Sequence, residues 1–249
     1  MVRIESSDLD FSGRRVLVTG AASGIGAAMA RAFHGHGGTL VLADQDADGL
    51  AVMEAELGGS SSIVFDQADL ASVEMLSIQA GPVEVFCNNA GVLWTGSFHK
   101  MPMDEIERVV TVNLLGAIRA ARLIGMSMLE RRTGVIVNTS SQLAFHGSAE
   151  RAVYAATKAG LSQFTKSIAA EWAPHGVRVV AIAPGRTLTN INAGLLADSK
   201  RHEAGLKGIP AGRYAEASEM ARLALLLASG ILSYVVGETV ISDGGYVLL

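Results

Sequence analysis

A phenol and an ammonium stand four residues apart in Tyr154-Ala155-Ala156-Thr157-Lys158. On a helix that spacing puts both on one face. A free tyrosine, with a pKa of about 10, is a poor base near neutrality. A neighbouring lysine cation favours the phenolate and brings the acid–base group closer to the working pH. Thirteen residues earlier, Ser141 ends the run Val135-Ile136-Val137-Asn138-Thr139-Ser140-Ser141. A hydroxyl there can hold a substrate oxygen and stabilise its developing charge. Read as a nucleophile, the same serine would need a histidine–carboxylate pair. His146 is near in sequence, but nothing resembles a nucleophile elbow, so hydrolysis is disfavoured.

A second set lies near the N-terminus, in Thr19-Gly20-Ala21-Ala22-Ser23-Gly24-Ile25-Gly26. Glycines between a strand and a helix allow a sharp turn, bring backbone N–H groups close to a pyrophosphate and seat the helix on the strand. The helix then aims its N-terminal dipole at the phosphates. The spacing is G-x-x-x-G-x-G with no lysine after the last glycine, which disfavours a nucleoside triphosphatase and favours a dinucleotide. Asp44, 18 residues past Gly26, closes the next strand. A carboxylate there accepts hydrogen bonds from the adenosine ribose and repels a 2′-phosphate, although a strand-ending acid also serves as a plain helix cap. Ser23, Gln45 and Asp46 offer no cation for that phosphate. We therefore expect NAD rather than NADP.

These residues need a frame to hold them. Short apolar runs (Arg15–Thr19, Thr39–Ala43, Ile63–Phe65, Val83–Cys87, Val135–Asn138, Val177–Ala183, Thr239–Ile241) alternate with segments of helical period. The helices are expected near Ile25–His34, Ala47–Leu57, Ala71–Gln79, Met103–Arg131, Ala152–Trp172 and Ala217–Ala228. Wholly apolar strands separated by helices predict a parallel sheet covered on both faces. With right-handed crossovers this is a Rossmann-type, doubly wound α/β domain of seven strands. Open sheets of that kind bind ligands at the carboxyl ends of their strands, which is where Ser141 falls. No linker or repeat divides the chain, so residues 1–249 form one domain. The stretch 189–212, rich in glycine and charge, is expected to be a substrate loop or lid.

The chain has 249 residues, 49% of them hydrophobic, a formal charge of -4 and a single cysteine. That supports a sizeable core and gives no basic stripe for nucleic acid and no polybasic segment for a membrane. One cysteine cannot form an internal disulfide, which fits a reducing compartment. The first residues carry Arg3, Glu5, Asp8 and Asp10, unlike a signal peptide. A cytoplasmic protein is the expectation. No His/Cys cluster has metal-ligand spacing, so no metal is expected.

Taken together, the motifs resemble those of the short-chain dehydrogenase/reductase family in its common, roughly 250-residue form, and the likeness runs nearly end to end. The glycine turn and the Tyr154/Lys158 pair correspond to its two signatures. Asn88-Asn89-Ala90-Gly91 resembles the segment after the fourth strand that faces the cofactor, and Asp69-Leu70 sits where the family contacts adenine. Pro184, Gly185, Thr187 and Thr189 resemble the loop that holds the nicotinamide carboxamide. Asn113 matches the asparagine that kinks the long helix and holds a proton-relay water. Asp243-Gly244-Gly245 resembles the C-terminal signature.

The resemblance implies a mechanism. Tyr154 exchanges the proton with the substrate oxygen, Ser141 orients that oxygen, and Lys158 biases Tyr154 and binds the nicotinamide ribose. Asn113 passes the proton towards solvent, and hydride moves between the substrate carbon and the nicotinamide. It also implies a small-molecule alcohol or ketone substrate and a homotetramer, which the apolar end Tyr246–Leu249 suits as a subunit-facing tail. Family members with an acid at position 44 often act on polyols, sugars or small cyclic alcohols. A 3-oxoacyl-thioester or steroid-type ketone reductase is the alternative, and a non-catalytic NAD(H) sensor a third reading.

Two positions depart from the family pattern. Ala71–Pro82 is short, predicting a truncated helix, and Val180 stands where an asparagine is common. His34, His36, His99, His175 and His202 read as surface residues, and Cys87 as an inert core residue. His146 and Trp94 are possible cleft residues. Arg186 fits either an anionic substrate or a surface ion pair.

Overall fold

The computed structural model describes residues 6–189 and 205–249. Seven of its strands form one parallel sheet: β1 (Arg15–Thr19), β2 (Thr39–Asp44), β3 (Ser61–Val64), β4 (Val85–Asn88), β5 (Gly134–Thr139), β6 (Val177–Pro184) and β9 (Thr239–Ser242). Their order is β3-β2-β1-β4-β5-β6-β9. The winding reverses between β1 and β4, which leaves a crevice beyond their carboxyl ends.

The strands are apolar throughout because each divides its residues between two cores. Val16, Val18, Leu40, Leu42, Val85 and Cys87 face one, beneath α1 (Gly24–Gly35), α2 (Ala47–Glu56) and α7 (Ala217–Ala228). Leu17, Val41, Phe86 and Ile136 face the other, with α3 (Leu70–Ala80), α5 (Ala117–Arg131) and α6 (Ala152–Trp172). Period-two alternation inside a hydrophobic run thus gives a three-layer sandwich. Each fully buried Leu, Phe or Met contributes about 1.5–3 kcal/mol.

The third helix, α3, has 11 residues and is seated through Val73, Leu76 and Ala80. Val180 is fully buried in the first core, so apolar packing replaces the hydrogen bond an asparagine would make. The helical stretch Met103–Arg131 consists of α4 (Met103–Val110), a π-helical turn (Thr111–Gly116) and α5. Its 29 residues are long and apolar enough to cross a membrane, but half of its most apolar window is buried inside the fold.

Of the expected loop 189–212, residues 190–204 lie outside the described residues. Its flanks are tied together. β7 (Thr187–Leu188) pairs in parallel with β8 (Ala215–Glu216), in the register Thr187↔Ala215 and Leu188↔Glu216.

Candidate active site

A cleft of about 900 Å³ follows the carboxyl ends of the strands. Gly20 leaves β1 with φ +68°, a left-handed conformation that favours glycine. A Cβ on Gly26 would lie 1.9 Å from the Gly20 carbonyl oxygen, so this position brings α1 against the turn only as glycine. The turn thereby lays Gly20, Ser23, Gly24 and Ile25 open to the cleft, ahead of an unobstructed helix N-terminus.

Asp44 reaches the same cleft from the end of β2. One of its oxygens accepts the Ala22 N–H at 3.0 Å and the other the Asp46 N–H at 3.1 Å. The carboxylate is thereby fixed against the glycine turn. Asp69 and Leu70 are placed otherwise than the resemblance implied. Asp69 is the N-cap of α3, accepting the Ala71 N–H at 3.1 Å, and neither residue lines the cleft. The wall there is Phe65, Asp66, Gln67 and Ala68. Gln67 donates from Nε2 to the carbonyls of Ala90 and Val112, while its Oε1 is buried without a partner among the described residues.

Asn89, Ala90 and Gly91 form the middle of the wall. The Thr19 hydroxyl oxygen accepts the N–H groups of Asn89 (3.0 Å) and Ala90 (3.1 Å). Asn89 Nδ2 donates to the Thr19 carbonyl and its Oδ1 accepts from the Thr139 hydroxyl. One asparagine therefore joins the ends of β1, β4 and β5. Below them, Asn88 Nδ2 donates to Asn138 Oδ1, and Asn138 Nδ2 to the Thr165 hydroxyl of α6.

Ser141, Tyr154 and Lys158 meet at the far end of the cleft. Ser141 follows β5, and Tyr154 lies in the first turn of α6, one turn ahead of Lys158. Lys158 is buried, and Nζ donates to the Thr139 carbonyl at 2.8 Å. Burial lowers its pKa to about 8. Tyr154 corrects the expectation drawn from Lys158. Burial raises its pKa, and the opposing pulls come from the Ser141 hydroxyl and the Arg151 guanidinium. Lys158 Nζ lies 5.8 Å from the centre of the Tyr154 ring. Arg151, the N-cap residue of α6, is a further cation that draws the Tyr154 pKa down.

Asn113 is fully buried within the π turn and does not line the cleft itself. Its Nδ2 donates to the Val92 carbonyl and its Oδ1 accepts the Val92 N–H, each at 2.8 Å. A Cβ on Gly91 would lie 3.1 Å from Asn113 Oδ1 and 3.4 Å from Lys158 Nζ, so the two side chains converge on one spot.

Pro184, Gly185, Thr187 and Thr189 also line the cleft. Gly185 packs on the C-terminal signature, where a Cβ would meet Asp243 Cα at 2.5 Å. Asp243 accepts the N–H groups of Gly245 and Val247. Tyr246 is thereby brought into the cleft wall, whereas Leu248 and Leu249 stand exposed, so the expected tail divides between two environments. His146 packs on Tyr246 with ring centres 5.2 Å apart, behind the lining, and Trp94 covers Gly96 outside it. Cys87 is buried, and desolvation raises its thiol pKa. Among the described residues no three His, Cys, Asp or Glu side chains form a metal-binding group.

The cleft suits an extended dinucleotide: a glycine cradle at a helix N-terminus, a fixed carboxylate at one end, and a phenol, hydroxyl and ammonium at the other. A family model described as "Enoyl-(Acyl carrier protein) reductase" matches residues 20–247. D-threitol dehydrogenase of Mycolicibacterium smegmatis is 35% identical over 253 residues, covering 98% of this chain and 97% of that protein. L-xylulose reductase of Bos taurus is 34% identical over 240 residues, covering 96% and 98%. A crystal structure with NADP bound at low occupancy, of a Beutenbergia cavernae protein assigned as an NAD(P)-dependent gluconate 5-dehydrogenase, superposes with a TM-score of 0.93 at 35% identity. It covers 97% of this chain and 100% of that one. The protein belongs to the short-chain dehydrogenase/reductase family, oxidoreductases that act on secondary alcohols and ketones with a nicotinamide cofactor.

Proposed function

We propose that the protein is an NAD(H)-dependent dehydrogenase/reductase of polyols, sugars or small cyclic alcohols. The observation that carries the reaction is the meeting of Ser141, Tyr154 and Lys158 at one end of the cleft. Hydride exchange with the substrate carbon is the chemistry that the nicotinamide supplies when bound. Tyr154 takes the proton from the substrate hydroxyl, or returns it to the ketone. Ser141 holds that oxygen in line with the phenol. Lys158, largely protonated at neutral pH with a pKa of about 8, is the cation available to the nicotinamide ribose. Asn113 keeps the Val92 backbone in place beside Lys158, which suits it to the proton exit. Gly20, Ser23, Gly24, Ile25 and Gly26 would hold the pyrophosphate, Asn89, Ala90 and Gly91 the middle of the cofactor, and Pro184, Gly185, Thr187 and Thr189 the carboxamide.

NAD rather than NADP follows from Asp44, whose carboxylate is held at the adenosine end and repels a 2′-phosphate. The NADP in the similar crystal structure favours the opposite reading. Initial rates with both cofactors over a panel of polyols, sugars and cyclic alcohols decide between them. We expect NAD to be preferred, and Asp44→Ala to lower that preference by about tenfold or more. An unchanged ratio would remove Asp44 from the role.

A homotetramer is expected by family resemblance. Met103, Leu115 and Met126, exposed along α4, the π turn and α5, give it an apolar surface to use. The single cysteine supports a cytoplasmic location.

A further inference from the structure

The substrate end of the cleft carries two guanidinium groups outside the Ser141–Tyr154–Lys158 set, one of which also bears on Tyr154. Arg151, at the start of α6, and Arg186, in the loop after β6, both line it and are both partly buried. Neither has an ion-pair partner among the described residues, whereas Arg31, Arg108, Arg131 and Arg213 each pair with a glutamate. The Arg151 surroundings are Arg186, the Tyr154 and Tyr246 phenols, and the exposed Glu150. Burial and the Arg186 charge both lower the pKa of Arg151. Two like charges held close and partly out of water are costly unless an anion joins them.

The Arg186 position is built. Its guanidinium carbon lies 5.9 Å from the centre of the Tyr246 ring. A Cβ on Gly205 would come 2.7 Å from Arg186 Nη1, so glycine leaves the room the guanidinium uses. Gln142, beside Ser141, is buried and lines the same end, and its Oε1 has no partner among the described residues.

We propose that Arg151 and Arg186 form a subsite for a terminal oxyanion, a carboxylate or a phosphate, so that the substrate is a hydroxylated acid or its phosphate ester rather than a neutral polyol. Paired guanidinium groups grip a planar carboxylate or a phosphate through several charge-assisted hydrogen bonds. Arg151 lies three residues before Tyr154 on α6, which puts the anion within a short carbon chain of the reacting hydroxyl. This rests on the polyol-type reaction proposed above.

The test compares kcat/KM for D-glucitol, D-gluconate and D-glucitol 6-phosphate at saturating NAD, in the wild type and in Arg151→Gln, Arg186→Gln and Arg151→Lys. A ratio of charged to neutral substrate cancels any loss through Tyr154. We expect the wild type to favour one charged substrate by about tenfold or more, and each glutamine variant to reduce that ratio at least tenfold, mainly through KM. Arg151→Lys is expected to keep part of it. The favoured charged substrate tells carboxylate from phosphate. A wild type indifferent to charge, a ratio unchanged in the variants, or an effect confined to the KM of the cofactor overturns the subsite. Calorimetry of the enzyme–NADH complex with the same three compounds separates the two readings if none is turned over. Anion binding that is lost in both glutamine variants upholds the subsite and sinks the polyol reading, and no anion binding overturns the subsite.

Discussion

Tyr154 sits between opposing influences. Burial raises its pKa, while Ser141 and Arg151 pull it part of the way back. Alcohol oxidation needs the phenolate and ketone reduction the phenol. Oxidative kcat/KM on a neutral alcohol is therefore expected to climb with pH from neutrality, and reductive kcat/KM to hold level until the phenol itself ionises. Removing the Arg151 charge raises Tyr154 further, so Arg151→Gln is expected to move both limbs to higher pH by some tenths of a unit. Limbs that stay put would mean that Arg151 does not tune the phenol. Tyr154→Phe is expected to lower turnover by about 10³-fold, with NADH affinity by fluorescence titration changed less than about threefold, since the phenol is asked to move a proton. Ser141, Tyr154 and Lys158 were legible in the sequence because the chemistry calls for those residue types at those spacings, and Asn113 through the family resemblance. Arg151 was not, because an arginine at a helix start has many ordinary uses and only the fold brings it to the phenol. The slip at Asp69 is similar. Two aspartates lie three residues apart in Asp66-Gln67-Ala68-Asp69, and capping claims the second. An acid immediately before a helix is the N-cap signal, which would have assigned it.

Strand positions were legible from apolar runs alone, to within a residue or two at each end, because both faces of the sheet are covered. The start of the third strand gave no such signal, since Ser61 and Ser62 pair through their backbone without any apolar side chain. The break at Thr111–Gly116 was also invisible to periodicity. A π turn adds a residue without altering composition, and only the family resemblance pointed at Asn113. Nor does hydropathy reveal the polar ladder from Asn88 through Asn138 to Thr165, which crosses from β4 and β5 to α6 inside the core. Asn138→Ala removes two buried hydrogen bonds. We expect a loss of about 2 kcal/mol, or roughly 4–8 °C in the melting temperature followed by circular dichroism. An unchanged melting temperature would show that this ladder holds nothing in place.

At the scale of the molecule, one apolar surface is left over by the fold. Leu115 and Met126, with Met103 at the start of α4, face outward from a helical stretch whose other side is buried. Light scattering is expected to give four times the 25.9 kDa chain mass. Charged substitutions at Leu115 and Met126 are expected to shift that value towards smaller species, while a monomer in the wild type would leave this surface to some other partner. The short pairing of β7 with β8 has a different consequence. It brings the two feet of residues 189–214 to one ladder spacing, about 4.8 Å, at the rim of the cleft and apart from the seven-stranded sheet. With its feet fixed by this pairing, a longer connecting segment costs the fold little. Doubling its length costs only about 0.6 kcal/mol in closure entropy. Changes of length between those feet are therefore expected to leave the seven-stranded sheet intact, provided the buried Ile209 and Tyr214 are kept.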